Sequence, residues 1–233
     1  MPKNPMIISL IPAKKNSTRI KNKNLLKIDG ISLVTRAIIC SLKSKYIKHT
    51  FLSSDSKKIL NIGKKYGSIP ISRPKKFSNN FSLANEVISH SLNEIKKKFK
   101  NFNDIICIYL QPTSPFRNSK HIDEALRIFI KNDVKALISV EESQKSAYKS
   151  IIIKKNRISP LFKKIYLFLN NQALIKTYNP NGAIYVFRYK DFVKNQSIPI
   201  TDVMPYIMSQ KDSLDIDNPF DYKIAKLISL SSK

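Results

Sequence analysis

The sequence has few residues of several types, and each shortage excludes a class of protein. Only four glycines occur among 233 residues, which argues against a flexible low-complexity or collagen-like chain. The two cysteines both lie in apolar runs, so we expect buried, reduced thiols and a reducing compartment. No apolar run approaches membrane length. We therefore expect a cytoplasmic protein without a membrane partner.

Acidic residues are also scarce: 16 Asp and Glu stand against 42 Lys and Arg, a formal charge of +26. Such an excess suits an anionic partner, either nucleic acid, a membrane surface, or phosphorylated and carboxylated small molecules. The cations are spread along the chain, so compositional drift is a second explanation. A basic nucleic-acid-binding protein stays open as an alternative function, although no recognised nucleic-acid motif is present.

Short apolar strands alternate with amphipathic helices through the first 140 residues. This alternation predicts βαβ units and a parallel sheet with right-handed crossovers. We therefore expect an α/β fold, a three-layer α/β/α sandwich with a mostly parallel, twisted sheet, in a single domain over residues 1–233. We predict strands at residues 6–11, 50–53, 69–71, 104–110, 136–140 and 182–188.

Two stretches depart from the alternation. Residues 141–180 are basic and aromatic without a clean period, and we predict an excursion from the main sheet that serves as a dimer contact. Asn218-Pro219 is a strong helix start, an N-cap followed by the first helical position. We predict an apolar stripe on that helix, formed by Phe220, Ile224, Leu227 and Ile228.

In such sheets, ligands bind beyond the carboxyl ends of the strands. That rule indicates the loops at residues 12–24, 53–55 and 111–117. The first loop contains five cations, several hydroxyl and amide donors, and no carboxylate. A triphosphate needs such a set, although a solvated basic loop has the same composition. The loop lacks the glycines of dinucleotide-binding and P-loop motifs, which excludes those two classes of site.

Two further stretches have chemistry-bearing patterns. Gln111 to Arg117 reads Gln-Pro-Thr-Ser-Pro-Phe-Arg, in which two prolines stiffen a polar turn after the strongest predicted strand. Asp215 and Asp217 flank Ile216, and carboxylates two residues apart on an extended segment point to one side, where they can hold a hard cation such as Mg²⁺. Helix capping is the alternative role for these aspartates.

Six motifs together resemble the acylneuraminate cytidylyltransferases, a group of CMP-sugar synthetases that includes legionaminic and pseudaminic acid enzymes. These motifs are the first loop, Ser53-Ser54-Asp55, Arg73-Pro74, the heptad from Gln111, Asn181-Gly182-Ala183-Ile184-Tyr185, and Asp215-Ile216-Asp217-Asn218-Pro219. In the first loop, Lys14 stands where the family has arginine, Lys15 and Asn16 replace two glycines, and Thr18 replaces lysine. The arginine that usually binds the sugar carboxylate is also missing, since Asn170-Asn171 occupies its place.

The resemblance implies a homodimeric nucleotidyltransferase that uses CTP and Mg²⁺ to activate a nine-carbon acidic sugar. It implies the following roles. Catalysis falls to Lys23, Asp215 and Asp217, of which the two aspartates also bind Mg²⁺. The nucleotide contacts are Lys14, Ser17, Arg19, Asn24, Asp55 and Arg73. The sugar contacts are Gln111, Asn181 and Tyr185.

Three alternatives remain at this point. The sugar could be an eight-carbon ulosonic acid, the chain could be a degenerate, inactive relative, or it could be the nucleic-acid-binding protein named above. The eight-carbon enzymes lack the Gln-Pro-Thr-Ser-Pro stretch, and the retained Asp215 and Asp217 argue against an inactive relative.

Overall fold

The computed structural model describes residues 5–79, 82–99, 102 and 104–231. The strands are β1 (Ile7–Pro12), β2 (Lys27–Ile28), β3 (Ile31–Ser32), β4 (His49–Ser54), β5 (Ile69–Ser72), β6 (Ile106–Tyr109), β7 (Ala136–Glu142), β8 (Ile151–Lys154), β9 (Arg157–Pro160), β10 (Tyr178–Arg188) and β11 (Val203–Ile207). The helices are α1 (Leu33–Leu42), α2 (Lys57–Lys65), α3 (Ala84–Lys96), α4 (Ser119–Asn132), α5 (Tyr189–Asn195) and α6 (Pro219–Leu230).

Seven strands form one central sheet in the order β11-β7-β10-β6-β1-β4-β5. Every neighbouring pair is parallel except those of β10, which runs antiparallel between β6 and β7. The predicted mostly parallel sheet is therefore confirmed. Strand β1 pairs with β4 on one side and β6 on the other, so the chain reverses its winding direction at β1. This reversal opens a crevice at the carboxyl ends of β1 and β6.

The helices cover both faces of the sheet, which confirms the three-layer arrangement. One apolar cluster joins α1, α2 and α4 to one face, and a second cluster joins α3 and α5 to the other. Helices α1 and α2 begin where Ser32 and Ser56 accept hydrogen bonds from backbone N–H groups three residues later. These caps fix the chain direction as it leaves each strand.

The last helix begins at Pro219 as predicted, but only part of its predicted apolar stripe is buried, since Ile224 and Ile228 are half-buried. Phe220 and Leu227 are 68% and 66% exposed, whereas the buried residues of α6 are Ala225 and Ser229. Small side chains let α6 lie close against the β2–β3 hairpin. The N-cap Asn218 and Asp221 form a capping box that ties the preceding segment to the helix.

Within residues 141–180, β8 and β9 form a hairpin that is a separate two-stranded sheet. Its apolar side chains are largely solvent-facing, since Ile153 and Ile158 are both 67% exposed. No helix in the described part of the chain is long and apolar enough to cross a membrane.

Candidate active site

A cleft of about 420 Å³ opens at the carboxyl ends of β1 and β6. We call it the basic cleft, because four of its lining residues are cations. The lining comprises Pro12, Lys14, Ser17, Thr18, Arg19, Lys23, Asn24, Arg73, Phe77, Asn79, Ser82, Ala84, Val87, Tyr109, Gln111, Pro112, Thr113 and Asp217. The loops predicted to follow β1 and β6 therefore meet at this cleft, together with the segment after β5.

The loop after β1 is held in shape by two of the residues predicted to contact the nucleotide. Asn24, which is 5% exposed, donates from Nδ2 to the carbonyl oxygen of Lys14 at 2.8 Å. Asp55 accepts the backbone N–H of Lys15 at 2.7 Å. Asn24 also lines the basic cleft, whereas Asp55 supports the loop from the end of β4. These bonds position Lys14 and Ser17 at the cleft wall.

Arg73 lies at the bottom of the basic cleft. It is 5% exposed, and its backbone N–H donates to the carbonyl oxygen of Ser54 at 2.9 Å. Its Nε and Nη2 atoms are buried without a hydrogen-bond partner. Burial lowers the pKa of Arg73, and the nearby Asp55 opposes that shift. A buried guanidinium with free donors is prepared to bind an acceptor-rich ligand, because only such a ligand satisfies those donors.

Asp217 stands at the edge of the basic cleft with two cations on its carboxylate. Lys23 Nζ donates to Asp217 Oδ1 at 3.0 Å and to the carbonyl oxygen of Ile216 at 2.9 Å. Arg19 Nη1 lies 3.1 Å from Asp217 Oδ2. The backbone N–H of Asp217 donates to Asp221 at 2.7 Å, so the capping box of α6 also fixes this aspartate. The structure thus brings together Arg19 and Lys23 of the first loop with an aspartate about 200 residues away.

A second cavity of about 480 Å³ adjoins the basic cleft. We call it the polar cavity; it is lined by Gln111, Glu141, Pro180, Asn181, Gly182, Tyr185, Gln210, Ser213, Leu214 and Asp215. Gln111 lines both spaces. Asp217 borders the basic cleft and Asp215 the polar cavity, so the two aspartates lie where the spaces meet.

The side-chain amide of Asn181 holds the wall of the polar cavity by hydrogen bonds. Its Nδ2 donates to the Ser213 hydroxyl at 2.9 Å, and its Oδ1 accepts from the Ser139 hydroxyl at 2.5 Å and the backbone N–H of Ala183 at 3.1 Å. These bonds hold the irregular stretch of β10 between Pro180 and Tyr185. The family resemblance implies a sugar contact for Asn181. In the structure, the hydrogen bonds of its side chain shape the wall of the polar cavity.

Gly182 and Tyr185 follow Asn181 on the same wall. Gly182 has φ +74°, and a Cβ there would lie 3.0 Å from Gln111 Oε1. The absence of a side chain therefore leaves room for the Gln111 amide. Tyr185 lies across from Tyr109, at 6.2 Å between ring centroids, and burial raises the pKa of its hydroxyl.

Asp215 has the features of a metal ligand. Its Oδ1 is buried without a hydrogen-bond partner, and burial raises the pKa of its carboxyl group, opposed by a hydrogen bond from Thr113. An unpartnered buried carboxylate oxygen fits a cation. Among the described residues, no group of three or more His, Cys, Asp and Glu side chains could hold a metal. Two carboxylates, those of Asp215 and Asp217, are enough for Mg²⁺, because this ion binds one or two carboxylates together with substrate phosphates.

Sequence reasoning missed two residues of this region. Arg117 is 5% exposed, and its Nη1 donates at 2.8 Å to the carbonyl oxygens of both Gln111 and Ala183, which ties the heptad loop to β10. Its position at the end of the heptad is the one sequence feature that could have identified Arg117. Glu141 near the end of β7 lines the polar cavity, and nothing in the sequence distinguishes it from the neighbouring Glu142.

The comparisons with known proteins agree with this geometry. A family model described as cytidylyltransferase matches residues 8–215. The chain is 31% identical over 97% of its length to the CMP-N,N'-diacetyllegionaminic acid synthase of Legionella pneumophila, and it covers 98% of that protein. It is 30% identical over 94% of its length to the N-acylneuraminate cytidylyltransferase of Escherichia coli, of which it spans about half, 51%.

Among solved structures, a CMP:2-keto-3-deoxy-manno-octonic acid synthetase complexed with CTP is similar, with a TM-score of 0.71 and 13% identity. The match covers 98% of this chain and 100% of the other. At that identity the similarity concerns the fold alone. The family assignment rests on the matched sequence model and on the Legionella relative, which is similar from end to end. The chain belongs to the cytidylyltransferase family.

Proposed function

We propose that the protein transfers CMP from CTP to the anomeric hydroxyl of a nine-carbon acidic sugar of the sialic, legionaminic or pseudaminic acid type. The observation that supports this most strongly is the junction of the two cavities. A cationic cleft suited to a triphosphate adjoins a polar cavity suited to a sugar, and Asp215 and Asp217 lie at the boundary. The named substrates of the relatives agree with this pairing.

In this proposal the basic cleft binds CTP. Lys14, Ser17, Arg19 and Lys23 surround the phosphates, because this wall supplies cations and hydroxyl donors and the cleft opens beside it. Arg73, at the bottom of the cleft, binds the base or ribose with its free guanidinium donors. Asn24 and Asp55 act through the shape of the loop.

The reaction is an in-line displacement at the α-phosphorus of CTP. The anomeric hydroxyl oxygen of a sugar in the polar cavity forms the new P–O bond, and the bond from the α-phosphorus to the bridging oxygen of the β-phosphate breaks. Asp215, at the border of the polar cavity, is placed to accept the hydroxyl proton. The electron pair of the broken bond leaves with pyrophosphate, whose charge Lys14, Arg19 and Lys23 stabilise.

Asp215 and Asp217 would hold Mg²⁺, since the unpartnered buried oxygen of Asp215 fits a cation. When bound, the ion supplies charge neutralisation for the transferring phosphate. Lys23 and Arg19 hold the Asp217 carboxylate at the cleft edge by their direct contacts at 3.0 and 3.1 Å.

The test is pyrophosphate release by the purified protein with CTP, Mg²⁺ and a panel of acidic sugars. The panel contains sialic, legionaminic and pseudaminic acids and one eight-carbon ulosonic acid, so that it also tests the alternative substrate. We expect release that requires both CTP and a nine-carbon sugar and that is lost in Asp217→Ala. Release with the eight-carbon sugar alone would support the alternative, and CTP binding without release from folded protein would support a degenerate relative.

We further propose that the active form is a homodimer in the cytoplasm. The β8–β9 hairpin exposes Ile153 and Ile158, and the following segment exposes Phe168, which is 76% accessible. Burial of such a surface against a second copy would remove apolar area from water. The free cysteines Cys40 and Cys107 agree with a reducing compartment.

A further inference from the structure

The polar cavity has an unusual charge for this protein. The chain has 42 Lys and Arg against 16 Asp and Glu, yet among the described residues no Lys, Arg or His lines this cavity. Two carboxylates do, Glu141 and Asp215. The remaining polar lining consists of amide and hydroxyl groups. A ligand that enters this cavity must therefore present hydrogen-bond donors towards the two carboxylates.

Glu141 is the carboxylate that the proposed reaction leaves unused. Asp215 receives a hydrogen bond from Thr113 and lies beside Asp217. Glu141 sits near the end of β7, and its side chain contacts no cation or donor among the described residues. Its burial raises the pKa of its carboxyl group, and no neighbouring positive charge offsets that effect. A partly buried carboxylate without a protein partner is open to a donor group of a ligand, and hydrogen bonds to charged groups are among the stronger ones.

The neighbouring Glu142 shows that this placement is specific. Successive side chains of a strand point to opposite faces, so Glu141 and Glu142 face different surroundings. Glu142 lies 3.0 Å from Lys176 in an exposed ion pair, whereas Glu141 faces the polar cavity. The two glutamates have the same charge and nearly the same position in the chain. Only Glu141 can contact a ligand in the cavity.

We propose that Glu141 determines sugar specificity by accepting a hydrogen bond from an N–H or O–H donor on a ring substituent of the sugar. This inference rests on the proposed function, because it takes the polar cavity to be the sugar site. It also fixes the orientation of the sugar. The sugar's own carboxylate must point away from Glu141, since two like charges repel at close range in a partly buried cavity.

The experiment compares Glu141→Gln and Glu141→Ala with Glu142→Gln as the matched control. Each protein is assayed by pyrophosphate release with CTP, Mg²⁺ and two sugars: the best substrate of the panel, and its analogue in which one acylamino or hydroxyl group is replaced by hydrogen. The analogues are made one position at a time. KM for the sugar, KM for CTP and kcat are measured separately.

We expect the unaltered protein to prefer the full sugar over one of the analogues by at least tenfold in kcat/KM, since hydrogen bonds to a charged group are among the stronger ones. Glu141→Ala should reduce that preference to about twofold. Glu141→Gln, which keeps one acceptor oxygen, should fall between. In both variants the loss should appear as a raised KM for the sugar, with KM for CTP unchanged. Glu142→Gln should behave as the unaltered protein.

Two results would overturn the inference while leaving the proposed function intact. One is an unchanged sugar preference in Glu141→Ala, and the other is an equal loss in Glu142→Gln, which would indicate a general charge effect. Failure of the unaltered protein to turn over any sugar would overturn the proposed function itself, and the inference with it. Thermal unfolding of each variant, measured in parallel, separates loss of the contact from loss of the fold.

Discussion

Replacement of Arg117 should displace the loop and the strand that form the wall of the sugar site. This guanidinium is buried, and its Nη1 donates at 2.8 Å to two carbonyl oxygens, those of Gln111 and Ala183, which are 72 residues apart in the chain. Its environment includes Cys40, and no carboxylate pairs with it among the described residues. Removal from water lowers the pKa of Arg117, and the nearby Cys40 thiol opposes that shift. The two hydrogen bonds to carbonyl oxygens link the heptad loop to β10.

Two opposing effects determine how much Arg117→Met changes the free energy of unfolding. Arg117→Met removes both donors and leaves two buried carbonyl oxygens without a partner, at a cost of about 1–3 kcal/mol each. The same change removes a buried cation that lacks a carboxylate partner, which returns part of that free energy. We expect the hydrogen bonds to dominate, with a net loss of about 2–4 kcal/mol in the free energy of unfolding. That loss is a large fraction of the stability of a typical domain.

The assay combines urea unfolding with substrate kinetics. Arg117→Met should unfold at lower urea concentration with an unchanged slope, and KM for the sugar should rise roughly tenfold while KM for CTP changes little. The control is Arg188→Met, because Arg188 also donates to a backbone carbonyl oxygen, that of Val134 at 3.1 Å, but outside both cavities. It should lose stability without a change in sugar KM. Equal effects of the two variants on sugar KM would refute the reasoning.

Three further predictions concern the site and the hairpin. Gly182→Ala places a Cβ 3.0 Å from Gln111 Oε1 at a residue with φ +74°. The change should lower the free energy of unfolding, measured with urea, by about 1–2 kcal/mol and should raise KM for the sugar. An unchanged KM would show that the Gln111 amide tolerates displacement. Lys23→Met removes the cation that contacts Asp217 at 3.0 Å. In the pyrophosphate assay, kcat should fall by a factor of about 10²–10³. An unaffected kcat would exclude Lys23 from charge stabilisation. Ile153→Asp on the exposed face of β8 should shift the mass measured by light scattering from dimer to monomer, and a monomeric unaltered protein would contradict the proposed assembly.

Much of the fold could be predicted because its signals are local. The alternation of buried strands and amphipathic helices comes from period and length, and the caps Ser32 and Ser56 mark helix starts within three residues of sequence. The carboxyl-end rule then identifies the loops that meet at the basic cleft. These inferences require no knowledge of which strands become neighbours.

The remainder depends on contacts between distant parts of the chain. The antiparallel insertion of β10 between β6 and β7 follows from pairing over more than 70 residues, which no local pattern records. Helix α5 was missed because it has only seven residues, and strand β11 was missed because it contains Pro205, which argues against a strand. The stripe of α6 was predicted wrongly at Phe220 and Leu227, because Ala225, a small residue, makes the close contact in place of Phe220.

At the site, sequence motifs identify residues but not their tasks. Asn24, Asp55 and Asn181 belong to recognised motifs, and the structure uses their polar atoms to hold loops and a strand bulge. Glu141 belongs to none, yet it faces the polar cavity. The side on which β7 presents this carboxylate is set by its register with β10 and β11, so only the assembled sheet reveals it.

The most direct test of the account follows labelled phosphorus through the reaction. The protein is given the best sugar of the panel, Mg²⁺, and CTP labelled in either the α- or the γ-phosphate. The account predicts that the α-label appears in a CMP-sugar and the γ-label in pyrophosphate, and that Asp217→Ala forms neither product. A γ-label on the sugar, or CTP consumed without any labelled sugar product, would contradict it.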